Sequence, residues 1–428
     1  MMKRLFLLLA LLSVVATVSA QTMREEIDAD PDRAGGIYCY YRPLQAAPTP
    51  APRGYKPFYI SHYGRHGCRF QASSTTYTMP LSVFEAAAKD AHLTPLGEDA
   101  LRRLRIVVED ANLRYADLAP RGEREHRGIA NRMMDNYPEV FRGARHVSCF
   151  STQAPRCMMS MAAFTDVLKE RNSRLDISRR ASLREMQVLA CAKGMDSIRK
   201  PARKLALKYQ LAKCNDRAFL ERLFGDYDYA MELLRRIYGE KKTYVFIDNM
   251  HALAVTMQDC DYLGISFHDL FTADERYMMW DIMNVRRYLT YGPSAEFGDV
   301  RNADGKPLLR DIIERADKVV SGEMADEAAA LRFGHDSYII PLLSLMRVEG
   351  CHGCVDASQF DRLSEVWCDS RITSMAVNVQ FVFFRNKRGD VLVKMMHSER
   401  EVRIPVSTDS FPFYKWEDFR AYCVSLLD

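Results

Sequence analysis

An α/β protein is what this sequence predicts, with a central mixed sheet flanked by helices and an inserted, mostly helical lobe forming a cleft. Three observations predict it. Short apolar runs end in glycine-bearing polar turns at Tyr63-Gly64-Arg65-His66-Gly67 and at Gly334-His335-Asp336, which is how an α/β fold brings functional groups to the carboxyl edge of its sheet. Strand character is confined to the two ends of the chain, and the stretch between them has helical periodicity. The composition of the 428 residues, 48% hydrophobic and 27% charged, is that of a globular protein and excludes collagen-like, coiled-coil and wholly disordered chains.

The chain opens with Lys3 and Arg4, an apolar run from Leu5 to Val18, and the small residues Val18-Ser19-Ala20. That pattern predicts a signal peptide over 1–20, with Gln21 as the first mature residue and export to a periplasm or outside the cell. The run is short for a membrane anchor, and no later stretch predicts a transmembrane segment. Pro31, Pro43, Pro48, Pro50 and Pro52 suggest an extended surface arm over residues 21–54.

Pro57 to Ser61 has the pattern of a buried strand. Helical periodicity follows from Ser82 to Asp90 and from Leu96 to Leu113, with Thr94 placed to cap the second. A further amphipathic helix is expected over Gly122 to Phe141, then a strand over Val147 to Phe150 and a helix starting soon after Pro155. Met158 and Met159 there suit core filling rather than ligation. From 166 to 299 helical patterns dominate. Strands return at Ala329 to Phe333, and as a hairpin of Gln380 to Phe384 and Val391 to Val393 across a polar turn, where Arg388-Gly389-Asp390 is turn chemistry. The expected division is an α/β core from 21–165 and 300–428 around a helical lobe of 166–299.

Removing Lys3 and Arg4 from the formal charge of +4 leaves +2, which does not advertise nucleic-acid binding. Charge is concentrated locally. Arg199, Lys200, Arg203, Lys204, Lys208, Lys213 and Arg217 stand against Asp196 and Asp216. Such a run is either a solvated helix face or an attractor for a polyanionic ligand. Of the 11 cysteines, only Cys351 and Cys354 form a CxxC; with no second pair facing it, a local disulfide or inert thiols are expected instead of zinc.

No phosphate-binding P-loop, G-x-S-x-G elbow or H-E-x-x-H is present. Arg65-His66-Gly67-Cys68-Arg69 stands out. Arg-His-Gly alone is a weak signal and suits a polar turn equally well, but here it follows an apolar strand. Two guanidiniums flanking an imidazole make a dianion site, since guanidiniums clamp phosphate oxygens while the imidazole lies close enough to attack.

With these residues the sequence resembles the histidine acid phosphatases, the branch that includes phytases and multiple inositol polyphosphate phosphatases. Arg65, His66, Gly67 and Arg69 match the R-H-G-x-R-x-P opening, with Gln71 at the proline position. Arg156, eight residues before Phe164, and Gly334-His335-Asp336 match two later segments, and Leu93-Thr94-Pro95-Leu96-Gly97 a helix start. The resemblance spans about 55–428 and is faintest in the lobe.

It implies that His66 is the nucleophile, Asp336 the proton donor, and Arg65, Arg69, Arg156 and His335 the phosphate-binding residues, with no metal and no cofactor. It assigns nothing to His62, and Cys68 and Cys157 are expected to be packed thiols. Many inositol polyphosphate phosphatases carry His-Ala-Glu where this chain has His335-Asp336-Ser337. Gly122-Glu123-Arg124-Glu125, Ser398-Glu399-Arg400-Glu401 and Pro412-Phe413-Tyr414-Lys415-Trp416 point back toward that subgroup. The implied partner is a small phosphate ester, phytate or another inositol polyphosphate first. A broad-specificity or sugar-phosphate phosphatase of the same fold, or a non-catalytic phosphate-ester-binding protein, are the alternatives. A second His-Asp pair, His268-Asp269, lacks a preceding strand and glycine and is expected to start a helix.

Overall fold

The computed structural model describes residues 22–44, 46–190, 195–240 and 242–428. The leader expected over 1–20 and its boundary at Gln21 lie outside the described residues. One sheet gathers β1 (Lys56–Arg65), β2 (His146–Ser151), β3 (Asp176–Arg180), β4 (Glu327–Gly334), β5 (Asn378–Arg385), β6 (Val391–His397), β7 (Arg400–Glu401) and β8 (Phe413–Lys415). Its order is β3-β2-β4-β1-β5-β6-β7, with β8 also paired to β6. The β1–β4, β2–β4 and β2–β3 pairs are parallel, while β1–β5 and β5–β6 are antiparallel. The sheet is therefore mixed, as expected.

Strand alternation divides the side chains between two faces. Ile60, Ala329, Leu331, Phe333, Val382 and Phe384 join one core with Ile129, Met133, Met161 and Phe164. These last four come from α4 (Pro120–Asn136) and α5 (Pro155–Arg171), which follow α1 (Met23–Ala29), α2 (Thr75–Lys89) and α3 (Pro95–Ala111). Tyr59, Tyr63, Ala330, Val379, Phe381 and Phe383 join the other core.

The chain between β3 and β4 holds α6 (Leu183–Leu189), α7 (Met195–Lys213), α8 (Arg217–Phe224), α9 (Tyr227–Tyr238), α10 (Val245–Thr256), α11 (Ala273–Tyr291) and α12 (Gly298–Ser321); α13 (Asp336–Leu345) follows β4. Leu308, Leu309 and Ile312 of α12, with Ile339, Ile340 and Leu343 of α13, close the second face.

A third core lies away from the sheet. Val83, Phe84, Leu101 and Leu104 pack there with Phe219, Leu223, Leu234, Phe246 and Leu253. The division at 166 and 299 is therefore corrected on both sides. The helical lobe recruits α2 and α3 from before residue 165, and residues 176–180, inside the expected lobe, form β3 of the sheet. Thr94 caps α3 as expected, accepting from the Gly97 amide at 3.1 Å, a contact worth about 1 kcal/mol.

The expected surface arm is also corrected. After α1, residues Pro31–Tyr38 form a 3-10 helix. Met23, Ile27, Ala34 and Ile37 are buried, because this segment packs against α10 and α11. Gly36 has φ +53°, and a Cβ there would stand 2.3 Å from a carboxylate oxygen of Asp369. Only glycine fits that turn. The extended chain begins after it.

His268-Asp269 opens a single 3-10 turn. Asp269 is engaged by Arg103 through two hydrogen bonds of 2.7 and 2.9 Å, and His268 by Asp32 at 3.0 Å. Cys351 and Cys354 are unbridged, as are the other described cysteines. Among the described residues no helix is long and apolar enough to cross a membrane.

Candidate active site

The adjacent parallel strands β1 and β4 end in register, Arg65 opposite Gly334. Backbone bonds lock the turns beyond them: His66 N–H donates to Gly334 O at 3.0 Å, and Ala376 N–H to His66 O at 3.0 Å. The loop after β1 lies so close to the start of α4 that a Cβ on Gly67 would stand 2.5 Å from Gly122 Cα. Two facing glycines make that approach possible. Glu125, from α4, accepts the Cys68 amide at 2.8 Å and the Tyr41 amide at 2.7 Å; Asp259 accepts the Arg69 amide at 3.2 Å. Burial pushes the Glu125 carboxyl up and the Asp259 carboxyl to about 8.

His66 is buried, and its Nδ1 stands 2.9 Å from Gly67 O. A carbonyl can only accept, so Nδ1 carries the proton and Nε2 keeps a free lone pair. Burial first, then the charges of Arg65, Arg69, His335 and Arg156, hold the imidazole well below its ordinary 6.5. It is a neutral imidazole among cations, with Nε2 as its basic nitrogen. Resonances of isotopically labelled His66, assigned by their loss in His66→Ala, should therefore show no titration step near 6.5 and charge only at more acidic pH. A midpoint at the ordinary value would mean that the pocket neither desolvates nor repels the imidazolium.

The Arg65 Nη1 donates to Ile37 O at 2.5 Å and to Ser374 O at 3.1 Å. Its Nε lies 3.8 Å from an Asp336 oxygen. Arg69 donates to Phe70 O at 2.7 Å and faces the Tyr38 ring at 5.6 Å. Arg156 starts α5, and burial followed by the field of Arg69 and Arg65 opposes its charge. The Nε atoms of Arg65, Arg69 and Arg156 are all buried without a hydrogen-bond partner. Unanswered donors on three converging guanidiniums are what a phosphoryl group would satisfy.

His335 occupies the N-cap position of α13 without a side-chain capping bond and lies edge-on to His66, with ring centroids 5.6 Å apart. Its amide donates to the Tyr63 hydroxyl at 3.0 Å, and its Nε2 lies 3.2 Å from Thr152 Oγ1. Burial, then Arg156, take its pKa to about 4. Burial alone would raise the Asp336 carboxyl, but Arg65, Arg287, His335 and Arg69 overcome it and hold it below its usual value.

The six residues expected at the site thus stand together beyond the ends of β1 and β4. Two more belong there that the sequence did not signal. Arg287 of α11 reaches the Tyr38 hydroxyl at 3.1 Å. Burial raises the Tyr38 phenol, but Arg287, Arg69 and Arg65 outweigh it and bring it below 10.0. His62 stays outside the pocket. It is buried against Phe164 and Phe333, and burial takes it to about 3. Gln71, at the motif's proline position, donates to Thr256 Oγ1 at 2.6 Å and so ties the loop to α10. Among the described residues no cluster of three or more His, Cys, Asp or Glu could hold a metal ion.

Known structures share this architecture. The multiple inositol polyphosphate phosphatase of Bifidobacterium longum, in complex with inositol hexasulfate, matches with a TM-score of 0.75 at 18% identity, over 90% of this chain and 96% of that one. The phytase from D. castellii matches with a TM-score of 0.64 at 12% identity, over 92% and 84%. The Hafnia alvei phytase without ligand matches at 0.55 and 12%, over 89% and 98%. At these identities the likeness is one of fold. No curated protein matches the chain. The family model described as Histidine phosphatase superfamily (branch 2) matches residues 65–398, a stretch that includes Arg65, His66, Arg69, Arg156, His335 and Asp336. The chain belongs to branch 2 of the histidine phosphatase superfamily.

Proposed function

We propose that this phosphomonoester hydrolase is an exported enzyme that acts through a phosphohistidine and takes inositol polyphosphates, phytate first, as substrates. The observation that carries the mechanism is the free Nε2 of His66 among three guanidiniums with unanswered donors. In the first step Nε2 bonds to phosphorus as the bond from phosphorus to the ester oxygen breaks. Asp336 gives its proton to the departing alkoxide. Water then attacks phosphorus, Asp336 takes the water's proton, and the N–P bond breaks. Arg65, Arg69, Arg156 and His335 hold the phosphoryl oxygens and oppose their charge throughout.

A carboxyl held low by the cations around Asp336 suits this sequence. A bound phosphate dianion brings negative charge beside the carboxylate, reverses the field on it and favours its protonation. Loading of the general acid is thereby linked to arrival of the ester.

Inositol polyphosphate specificity rests on a surplus cation, since Arg287, held beside Tyr38, adds a fourth guanidinium to those of Arg65, Arg69 and Arg156. The exposed Lys200, Arg203 and Lys204 of α7 form either a solvated face or a further attractor. Export rests on the leader pattern. The test is phosphate release by the protein recovered outside the cytoplasm and beginning at Gln21. Phytate should exceed glucose 1-phosphate and an aryl phosphate in kcat/KM. Preference for either monophosphate would replace the specificity reading with a broad or sugar-phosphate one, and no release from any ester would leave a binding protein.

A further inference from the structure

The helix that presents Asp336 has a gap in its own hydrogen bonding. Pro341 lies inside α13. A proline has no N–H to donate, and its ring crowds the carbonyl four residues earlier. The Ser337 carbonyl, next to Asp336, therefore loses its helical donor.

A side chain supplies the missing bond. Nη2 of Arg301, from the first turn of α12, donates to Ser337 O at 3.1 Å. The Arg301 side chain is 0% exposed, and it pairs with Asp304 on the same helix, itself 5% exposed. The guanidinium also lies over the Tyr291 ring, 5.4 Å from its centroid. The reach is fixed by backbone contact. A Cβ on Gly305 would stand 3.2 Å from the Leu342 backbone, so α12 and α13 touch without intervening side chains. Packing alone does not call for an ion pair at such a place, since buried pairs are commonly replaceable by apolar side chains.

We propose that Arg301 is a positioning residue for proton transfer: by giving Ser337 the hydrogen bond that Pro341 cannot, it fixes the helical turn from which Asp336 reaches the leaving oxygen. The inference rests on the reading of Asp336 as proton donor. In this role Arg301 acts through Asp336 and not on the substrate.

Arg301→Met combined with Asp304→Leu removes both charges and leaves no unpaired carboxylate. Misplacement of a catalytic group by about 1 Å costs up to about 10²-fold, so single-turnover cleavage of phytate should fall by about 10- to 100-fold. Cleavage of p-nitrophenyl phosphate, whose leaving group needs no proton, should change less than about 3-fold. Adding Pro341→Ala returns an N–H to the Ser337 carbonyl and should restore most of the phytate rate.

Should the double variant not fold, Arg301→Lys keeps the charge but lacks the planar fork that serves Asp304 and Ser337 together. It should show the same selective loss and the same rescue. Equal losses on both substrates, or no recovery with Pro341→Ala, overturn the proposal. Asp336→Asn measured alongside separates the two levels. If it shows no leaving-group dependence, the donor assignment is at fault. If it does and the Arg301 variants do not, the positioning role alone fails.

Discussion

Replacing His66 with alanine should leave a folded protein whose phosphate release is lower by about 10⁴-fold or more, because no neighbouring group can replace the proposed nucleophile. The surroundings argue for both halves of that result. The loop keeps its shape through backbone bonds from His66 to Gly334 and from Ala376 to His66, which alanine retains. The nearby thiols are poor substitutes. Burial first, then Asp259 and Glu125, push Cys68 far above its ordinary range, and burial takes Cys157 to about 11. Both remain protonated at working pH and are weak nucleophiles. Rapid acid-free quenching of the wild type on phytate should trap acid-labile phosphate at His66, and the variant should trap none. Label on a serine or cysteine would sink the mechanism.

Asp336→Asn should separate substrates by leaving group. An inositol alkoxide leaves poorly and needs a proton as its bond breaks, whereas nitrophenolate leaves without one. General acid catalysis is commonly worth about 10²- to 10⁴-fold, and that is the expected gap between the losses for phytate and for p-nitrophenyl phosphate in the first turnover. Burst kinetics isolate that turnover from dephosphorylation, in which Asp336 is proposed to take the water's proton. Asp269→Asn should leave both substrates near wild type, since Asp269 is occupied by Arg103 on the lobe. A leaving-group-dependent loss in Asp269→Asn and none in Asp336→Asn would reverse the assignment.

The parts of this site that sequence reveals are those whose determinants are local. Arg65 to Arg69 and His335-Asp336 directly follow strands whose apolar residues identify them, and Thr94 announces its helix by chemistry three residues long. Tyr38 was hidden because proline-rich surroundings suggest an arm, and its burial depends on α10 and α11, more than 200 residues away. Arg287 stands beside Arg286 in one helix. Arg286 goes to Asp248 and Arg287 to Tyr38, a choice made by tertiary packing alone. The lobe boundary failed for the same reason, as Phe84 meets Phe224 and Phe246 only in three dimensions. β3 escaped notice because an edge strand exposed along Asp176-Ile177-Ser178-Arg179-Arg180 buries too little to show alternation.

The placement of β1 between β4 and β5 has a consequence for how the chain acquires its shape. Both partners of β1 lie in the last quarter of the sequence, with Ile60 pairing to Ala329 on one edge and to Val382 on the other. A strand buried on both faces must wait, during synthesis, for most of the polypeptide before either edge is covered. Closing so long a loop costs entropy that only the finished sheet repays, and non-local pairing of this kind makes for slow folding and exposure to aggregation. The helices of the lobe can assemble from nearer neighbours in the meantime. Since the proposed nucleophile follows β1 and the proposed acid follows β4, catalytic competence on that reading arrives with that late pairing, and a fragment that ends before β4 lacks it.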